Sequence, residues 1–461
     1  MSSNIYRLTT TINIAKARQL PRALRSAAFL LLIVAVSANS VGATSPLTVE
    51  DVRRMALEFN RTYLAAEEDV VKAQSEIAAA RAGALPEITV NGSYNRNIKL
   101  PSFFLNPEGQ ETIEFKAGFK NDFAASVSLR QSIWKGGKVF SALKIAKLYK
   151  DYSLEVREQV RATVIYNAEL LFYQAILQQS DLEVLRRAFE ANSYNLEVVE
   201  KSYSQGLVSE FEVLRARVEK SNLLPQILAG ESELRLAEKR LKSFIGMDLN
   251  EEIALIEAED DTSLKQLRPL PSLTDEALGN RPEMKQADYL AQITKKAIGV
   301  ARGDYFPELE AVSTYGWSAQ SDEFTLSDNT VQTWTAGLNL TFPLFKGGAT
   351  RGRVKAARAD YEQAMLAQKE ARDAIRLEVE QAYDQILQAQ KSLEIQGVTI
   401  AQAEEGLKIA NLRYESGVGT QLEVLSAQTA LTQARNNLAL AKFVYRQARA
   451  QLKKATTVEL L

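Results

Sequence analysis

An internal repeat restricts the folds that are open to this chain. The segment YSQGLVSEFEVL (Tyr203–Leu214) returns as YESGVGTQLEVL (Tyr414–Leu425), 211 positions later. Upstream of it, WKGGK (Trp134–Lys138) returns as FKGGA (Phe345–Ala349) at the same offset of 211. Self-similarity at a fixed, long offset indicates a tandem duplication, so the two halves should fold into similar units.

Two shorter matches extend the repeat toward the start of each half. The dipeptide NR at Asn60 returns at Asn280, 220 positions later, and LPE at Leu85 returns as FPE at Phe306, 221 positions later. The offset then falls from 221 to 211, so the first half carries ten extra residues between its Pro-Glu and Gly-Gly motifs. The predicted segments are a first repeat over 47–245, a linker over 246–271 and a second repeat over 272–457.

The first 43 residues have the order of a secretory signal peptide. Arg18, Arg22 and Arg25 precede the apolar run AAFLLLIVAVSA, and small residues follow up to Ala43, where we predict cleavage. A membrane anchor is the alternative, but about 12 apolar residues are fewer than the roughly 20 that a spanning helix needs. No cysteine follows the apolar run, which excludes lipid attachment there.

Composition excludes several classes of function. The 56 basic and 57 acidic residues give a net charge of -1, which offers no electrostatic footprint for nucleic acid. The chain has no Cys and no His, so thiol chemistry, disulfides, Cys/His zinc sites and histidine-based catalysis are excluded. The sequence also shows no phosphate-binding loop and no nucleophile paired with a base. We therefore predict a protein that is not an enzyme and that uses no cofactor.

Between the Pro-Glu and Gly-Gly motifs, apolar residues recur at every second position, as in TWTAGLNLTF (residues 333–342). This pattern predicts a pair of strands in each half, at about 85–134 and 306–345, with strands of about ten residues that suit a tilted membrane-spanning strand. One face of the second strand should carry Phe123, Ala125, Val127, Leu129 and Ile133. Candidates for an aromatic belt at the membrane surface are Trp134, Trp317 and Trp334. A soluble antiparallel sheet with one wet face is the alternative.

The number of strands has a consequence for assembly. Four strands are too few to close a barrel, and an open sheet edge cannot face lipid. If the strands enter a membrane, several chains must therefore share one barrel, which predicts an oligomer.

Two long stretches without proline, residues 139–204 and 350–416, predict long helices. Each allows roughly 65 helical residues, or about 100 Å. Seven-residue spacings such as Ile386, Leu393 and Ile400 predict coiled-coil packing. Each long helix should turn back in a hairpin, at about 138–245 and 349–457. Pro225 predicts a kink in the returning helix of the first half.

The YxxG segments predict the hairpin turns. Glycine at 206 and 417 can take the left-handed conformation that ends a helix. Ser209 and Thr420 should cap the next helix, and Glu212 and Glu423 follow at the spacing of a capping box. Helix capping is thus one role for both glutamates, and it leaves a second role open.

In this order, the motifs resemble those of the outer membrane efflux protein family of TolC-like exit ducts. The most specific parts are PLFKGG (Pro343–Gly348), NRPEM (Asn280–Met284) followed by FPEL, and the two YxxG turns. The resemblance covers about residues 47–457. It implies an α+β membrane protein, in which long α-helical coiled-coil hairpins form a periplasmic α-barrel. It also implies that the strands contribute to a β-barrel of twelve strands in the outer membrane, four from each chain of a trimer.

The function implied by the resemblance is that of a passive exit duct in a tripartite efflux pump or a type I secretion system. The implied partners are two further copies of the chain, a periplasmic adaptor (membrane fusion) protein, an inner membrane RND or ABC pump and outer membrane lipid. The competing hypothesis is a periplasmic coiled-coil structural or adaptor protein without a barrel, which would have no need of two strand pairs. The cargo stays open, although the absence of His and the presence of only five Met disfavour a copper or silver duct.

The resemblance also assigns roles to residues at the turns. Glu423 corresponds to an acidic residue of the periplasmic constriction, whose ring of three carboxylates would favour cations, and Ser426 stands where a second acid would be. Glu212 and Tyr414 correspond to residues that bridge neighbouring helix pairs in the closed state, and Gly419 stands where an arginine joins that bridge. The residues implied to face the adaptor are Gly206, Leu207, Val208, Ser209, Gly417, Val418 and Thr420. The glycines expected at the strand-to-helix junctions are Gly136, Gly137, Gly347 and Gly348.

Overall fold

The computed structural model describes residues 46–105, 113–257 and 267–457. The predicted signal peptide and part of the predicted linker lie outside these described residues. A small parallel pair, β1 (Pro46–Leu47) with β6 (Ala254–Leu255), belongs to a compact unit of its own. The other unit holds all of the helices and strands described below.

The helices of this unit repeat in kind and in length. Those of the first half are α1 (Val49–Phe59), α2 (Arg61–Ala82), α3 (Lys138–Ser204) and α4 (Glu210–Ile245). Those of the second half are α5 (Leu270–Asn280), α6 (Pro282–Gly303), α7 (Ala349–Glu415) and α8 (Gln421–Thr456). Both α3 and α7 have 67 residues, and both α4 and α8 have 36. The predicted duplication is thereby visible in the fold, helix for helix.

One of the sequence matches is out of register. Asn60 is the N-cap of α2, and the N-cap of α6 is Arg281 rather than Asn280. The two helices thus start 221 positions apart, at Arg61 and Pro282, in agreement with the offset of the Pro-Glu motifs. The NR dipeptides, 220 apart, are therefore not structural equivalents.

The four predicted strands form one antiparallel sheet in the order β2-β5-β7-β8. Their bounds are β2 (Glu87–Arg96), β5 (Asn121–Lys135), β7 (Glu308–Ser321) and β8 (Thr330–Thr341). β5 and β7, with 15 and 14 residues, are longer than the ten that the alternation predicts. The longer connection of the first half also holds an antiparallel pair of two short strands, β3 (Ser102–Leu105) and β4 (Ile113–Lys116).

The strand register gathers the apolar side chains on one face of the sheet. Val90 pairs with Val127, Val127 with Tyr315, and Tyr315 with Trp334, so this face continues across all four strands. The register shifts between Ser132 and Trp134, where a β-bulge leaves Ile133 without a partner in the ladder. The bulge sets Ile133 and Trp134 together opposite Leu309, so the regular alternation ends at Ser132, and the face that Ile133 occupies stays a prediction.

The helix core follows the predicted seven-residue spacing. The buried residues of α7 in the main cluster alternate at intervals of four and three: Ile375, Val379, Ala382, Ile386, Ala389 and Leu393. They pack against Ala441, Tyr445, Ala448 and Leu452 of α8. Burial of one such isoleucine or leucine side chain contributes about 2 kcal/mol. α4 stays helical through Pro225, which is exposed, and the kink at that residue stays a prediction.

Candidate functional site at the hairpin turns

Both long helices end in the same hydrogen-bonded turn. Gly206 adopts a φ of 74°, and the following amide of Leu207 donates to the carbonyl of Ser202 at 3.0 Å. Gly417 adopts a φ of 75°, with an equivalent bond from Val418. These are Schellman turns, which need a left-handed residue and so favour glycine. The predicted conformation of both YxxG turns is confirmed.

The two returning helices begin differently. Thr420 caps α8, because its hydroxyl accepts from the amide of Glu423 at 3.3 Å. Ser209 holds the N-cap position of α4, but its hydroxyl makes no capping bond, and the amide of Glu212 donates to the backbone carbonyl of Ser209 instead. Side-chain capping is therefore confirmed at Thr420 and wrong at Ser209.

The carboxylate of Glu423 points back across the turn to the end of α7. The Nε atom of Arg413 lies 3.2 Å from Oε2 of Glu423. Arg413 belongs to the last turn of α7, and the pair therefore joins the two arms of the hairpin. Arg413 is not among the residues predicted from the sequence, although a basic residue directly before the tyrosine of the YxxG motif lies close to the turn and to its glutamate.

Gly419 has a steric role that its sequence position does not reveal. Its φ is not in the left-handed region, yet a Cβ added there would lie 2.8 Å from Cβ of Arg413 and 2.9 Å from the amide nitrogen of Tyr414. The turn thus folds tightly onto the end of α7, and only glycine fits. An arginine, which the resemblance places at this position in relatives, has no room here.

The two hairpins of the chain meet beside Tyr414. Burial, and then the charge of Glu212, raise the pKa of Tyr414. The buried Nε2 of Gln421 lies 3.4 Å from the carbonyl oxygen of Glu212. The hydroxyl of Tyr414 has no hydrogen-bond partner among the described residues. The structure therefore brings Glu212 and Tyr414 together within one chain.

A groove of about 610 Å³ runs between the ends of α7 and α8. Its charged and polar lining is Arg413, Thr420, Glu423 and Ser426, and its apolar lining is Ile409 and Leu422 with several alanines. The two residues predicted for the constriction, Glu423 and Ser426, thus line one surface together. Leu207 and Val418, predicted for the adaptor face, are 71% and 69% exposed at the two turns.

The Gly-Gly motifs lie between sheet and helix, as predicted. Gly137 and Gly348 are the N-caps of α3 and α7, and all four glycines have positive φ, between 57° and 84°. In the first half the junction is crowded, because Lys138 bonds Asp304 at 2.5 Å and Glu308 at 2.7 Å. At the second junction, no atom of the described residues lies within 4 Å of the Cβ positions of Gly347 and Gly348.

The three tryptophans lie on the apolar face of the sheet. Trp134 pairs with Leu309 near the helix end of β7, while Trp317 lies eight residues farther along that strand and Trp334 pairs with Tyr315. Eight residues of strand span about 27 Å, which a tilt of about 40° reduces to about 20 Å along the membrane normal, compared with an apolar band about 25 Å tall in outer membrane barrels. Whether they form a membrane belt stays a prediction.

Among the described residues, no helix is both long and apolar enough to cross a bilayer. In the same residues, no group of three or more His, Cys, Asp or Glu side chains is arranged to hold a metal ion.

Comparison with known proteins decides the family. The model of the outer membrane efflux protein family matches residues 52–247 and 273–457, which together make up most of the chain. The chain belongs to the outer membrane efflux protein family. The two matched ranges correspond to the two structural repeats.

Individual relatives are distant but cover most of the chain. The outer membrane protein OprJ of Pseudomonas aeruginosa is 23% identical over 390 residues, covering 81% of this chain and 76% of OprJ. The alkaline protease secretion protein AprF of the same species is 23% identical over 423 residues, covering 87% and 83%. The crystal structure of VceC from Vibrio cholerae superposes with a TM-score of 0.72 at 18% identity, covering 90% of this chain and 97% of that one.

The family establishes the architecture and the general function. This outer membrane efflux protein is a trimeric channel of the outer membrane that extends into the periplasm. Its four strands are one third of a shared barrel of twelve strands. It serves as the exit duct for efflux or type I secretion and works with a periplasmic adaptor and an inner membrane pump. The alternative of a coiled-coil protein without a barrel finds no support among these relatives.

Proposed function

We propose that the groove beside the second hairpin turn is the narrowest part of the duct, with Glu423 and Ser426 facing the path of the substrate. The observation that supports this proposal is the convergence of Arg413, Glu423 and Ser426 on one surface between α7 and α8. In a trimer, that surface occurs three times around one axis. A constriction lined by three copies of one polar set controls which solutes pass.

The first hairpin turn contributes to the same mouth through a different contact. Glu212 of α4 adjoins Tyr414 and Gln421, so the two turns of one chain touch. Opening of the mouth requires such turns to separate. The hydroxyl of Tyr414 lacks a hydrogen-bond partner among the described residues, and the Oε1 atom of buried Gln421 likewise lacks one. Few side-chain hydrogen bonds are therefore broken when the contact between the two turns opens.

The duct is passive in this proposal. The substrate moves down its concentration gradient or is driven by the inner membrane pump, and no residue of the chain carries out a reaction. The exposed apolar side chains of Leu207 and Val418 at the turns bind the adaptor. Trp134, Trp317 and Trp334 hold the barrel at the two surfaces of the outer membrane.

A cysteine experiment tests the position of the constriction. The chain has no native cysteine, so Glu423→Cys introduces the one reactive thiol. A bulky thiol reagent should then reduce the conductance of the variant trimer in a planar bilayer several-fold, because the added group lies in the narrowest section. The matched control is Lys391→Cys, which is exposed and lies roughly 35 Å up the same hairpin from the turn. Equal conductance of both labelled trimers would place the constriction elsewhere.

A further inference from the structure

The feature of the mouth that the family resemblance does not account for is the arginine beside Glu423. In addition to its contact with Glu423, Arg413 places Nη2 3.5 Å from the carbonyl oxygen of Val418. The side chains of Arg413 and Glu423 are 51% and 44% exposed, so their pairing adds little to the stability of the fold. The significance of the pair is electrostatic.

Hydrogen bonds within the turn fix the position of the Arg413 backbone. The carbonyl oxygen of Arg413 accepts hydrogen bonds from the amide of Val418 at 3.1 Å, from the amide of Gly419 at 2.9 Å and from the hydroxyl of Ser416 at 3.0 Å. The close approach of Gly419 holds the turn against the same residue. The backbone of Arg413 is therefore fixed at the turn, and its contacts with Glu423 and with the carbonyl oxygen of Val418 keep the guanidinium beside the turn.

The first hairpin has no such arginine. The position 211 residues before Arg413 is Ser202, whose hydroxyl donates to the carbonyl of Val198. Glu212, which corresponds to Glu423, thus has no basic residue at this position. Of the two equivalent carboxylates, Glu423 has an arginine ten residues before it, whereas Glu212 has a serine there.

We propose that Arg413 sets the ion selectivity of the mouth by neutralising Glu423. This inference rests on the proposed function, in which three copies of Glu423 surround the constriction. The charges of the pair are 3.2 Å apart, far less than the Debye length of about 8 Å at physiological ionic strength. A passing ion therefore meets three dipoles in place of the three bare carboxylates that would focus a negative potential. The Glu423 ring then selects weakly, and loss of Arg413 converts it into a cation filter.

Reversal potentials in a potassium chloride gradient test this inference on purified trimers in planar bilayers. Arg413→Gln should raise the ratio of potassium to chloride permeability about threefold or more, because one kT of added negative potential changes cation occupancy by about that factor. Glu423→Gln should lower the ratio below the wild-type value and give a preference for chloride, because three arginines are then uncompensated. The double variant should return to the wild-type ratio, and Arg413→Lys should keep it.

The outcomes separate this inference from the proposed constriction. If Glu423→Gln changes the ratio and Arg413→Gln leaves it unchanged, Arg413 does not neutralise the carboxylate, and the inference is overturned while the constriction stands. If no variant changes the ratio, Glu423 does not line the narrow section, and the proposed site fails as well. Thermal unfolding checks the assembly of each trimer. Should Arg413→Gln fail to assemble, Glu423→Gln alone decides: a preference for chloride supports the inference, and mere loss of a cation preference contradicts it.

Discussion

Gly136 lies against the backbone of Gly303. A Cβ on Gly136 would overlap the carbonyl oxygen of Gly303 and lie 3.1 Å from Cβ of Phe306, and Gly136 also has a φ of 58°. The approach is mutual, since a Cβ on Gly303 would lie 3.1 Å from the carbonyl oxygen of Gly136. The end of β5, the start of α3 and the end of α6 are thereby joined backbone to backbone.

This contact predicts a difference between equivalent glycines of the two repeats. Gly136→Ala introduces both backbone strain and a clash, whereas Gly347→Ala introduces strain alone, because no atom of the described residues lies within 4 Å of its Cβ position. We expect Gly347→Ala to cost about 1 kcal/mol per subunit and Gly136→Ala to cost at least about 2 kcal/mol more. Thermal unfolding of the two trimers in detergent measures the difference, and equal melting temperatures would contradict the prediction.

A buried arginine at the start of α6 gives a second prediction. Arg281 has a side-chain exposure of 5%, and it contacts Glu283 at 2.9 Å and Glu378 of α7 at 2.5 Å. Arg281→Met leaves two partly buried carboxylates without their cation, which should cost about 3 kcal/mol. The control is Arg376→Met, because Arg376 is 55% exposed and pairs only loosely with Asp373, so its loss should cost less than about 1 kcal/mol. Chemical unfolding followed by circular dichroism compares the two variants, and similar midpoints would show that Glu283 and Glu378 are hydrated instead.

The ionic contact at the first junction predicts an acid-dependent loss of stability. The hydrogen bond from the Lys138 ammonium lowers the pKa of Asp304 below its ordinary value of 3.8. Because the folded protein binds this proton less readily than the unfolded chain, the stabilisation is fully present above about pH 4 to 5 and is lost as pH falls below that range. We expect Asp304→Asn to lower the melting temperature at neutral pH but to reduce its fall between about pH 5 and pH 3. If the melting temperatures of wild type and variant fall equally between about pH 5 and pH 3, Asp304 does not contribute to the acid-dependent loss of stability.

The exposed side chains at the turns give a prediction about partner binding. Val418→Asp replaces an apolar side chain that is 69% exposed, so it should not alter the melting temperature of the trimer. It should weaken binding of the periplasmic adaptor about tenfold or more, equivalent to about 1.4 kcal/mol, because it places a charge in a desolvated contact. Lys391→Asp, which is equally exposed but distant from the turn, is the control. Unchanged adaptor affinity in surface plasmon resonance would remove Val418 from the interface.

The repeat in the sequence predicted the repeat in the fold, although the individual sequence matches are not equally reliable signs of structural equivalence. The Gly-Gly and YxxG motifs are reliable because glycine at a left-handed position is a backbone requirement that both copies must meet. The NR dipeptide is misleading because Asn60 and Arg281 hold the equivalent N-cap positions with different side chains. Local identity is therefore the firmer sign of equivalence where the backbone itself demands the residue.

Alternation of apolar residues predicted the strands but not where the alternation breaks. The bulge at Ile133 leaves no mark in the period-two pattern, because it depends on how β5 aligns with β7, nearly 180 residues away in the chain. For the same reason the pattern underestimated the lengths of β5 and β7, whose ends are set by their hydrogen-bonded partners.

The duplication, the four long helices, the four strands and the position of both turns were predictable from the sequence, because periodicity and glycine conformation are local properties of the chain. Which charges and which backbone segments meet is seen in the folded structure and not in the sequence. Arg413 and Glu423 lie on opposite arms of a hairpin, and Gly136 and Gly303 lie at the ends of different elements. Contacts of this kind depend on distances of a few ångströms between elements, which residue spacing does not encode.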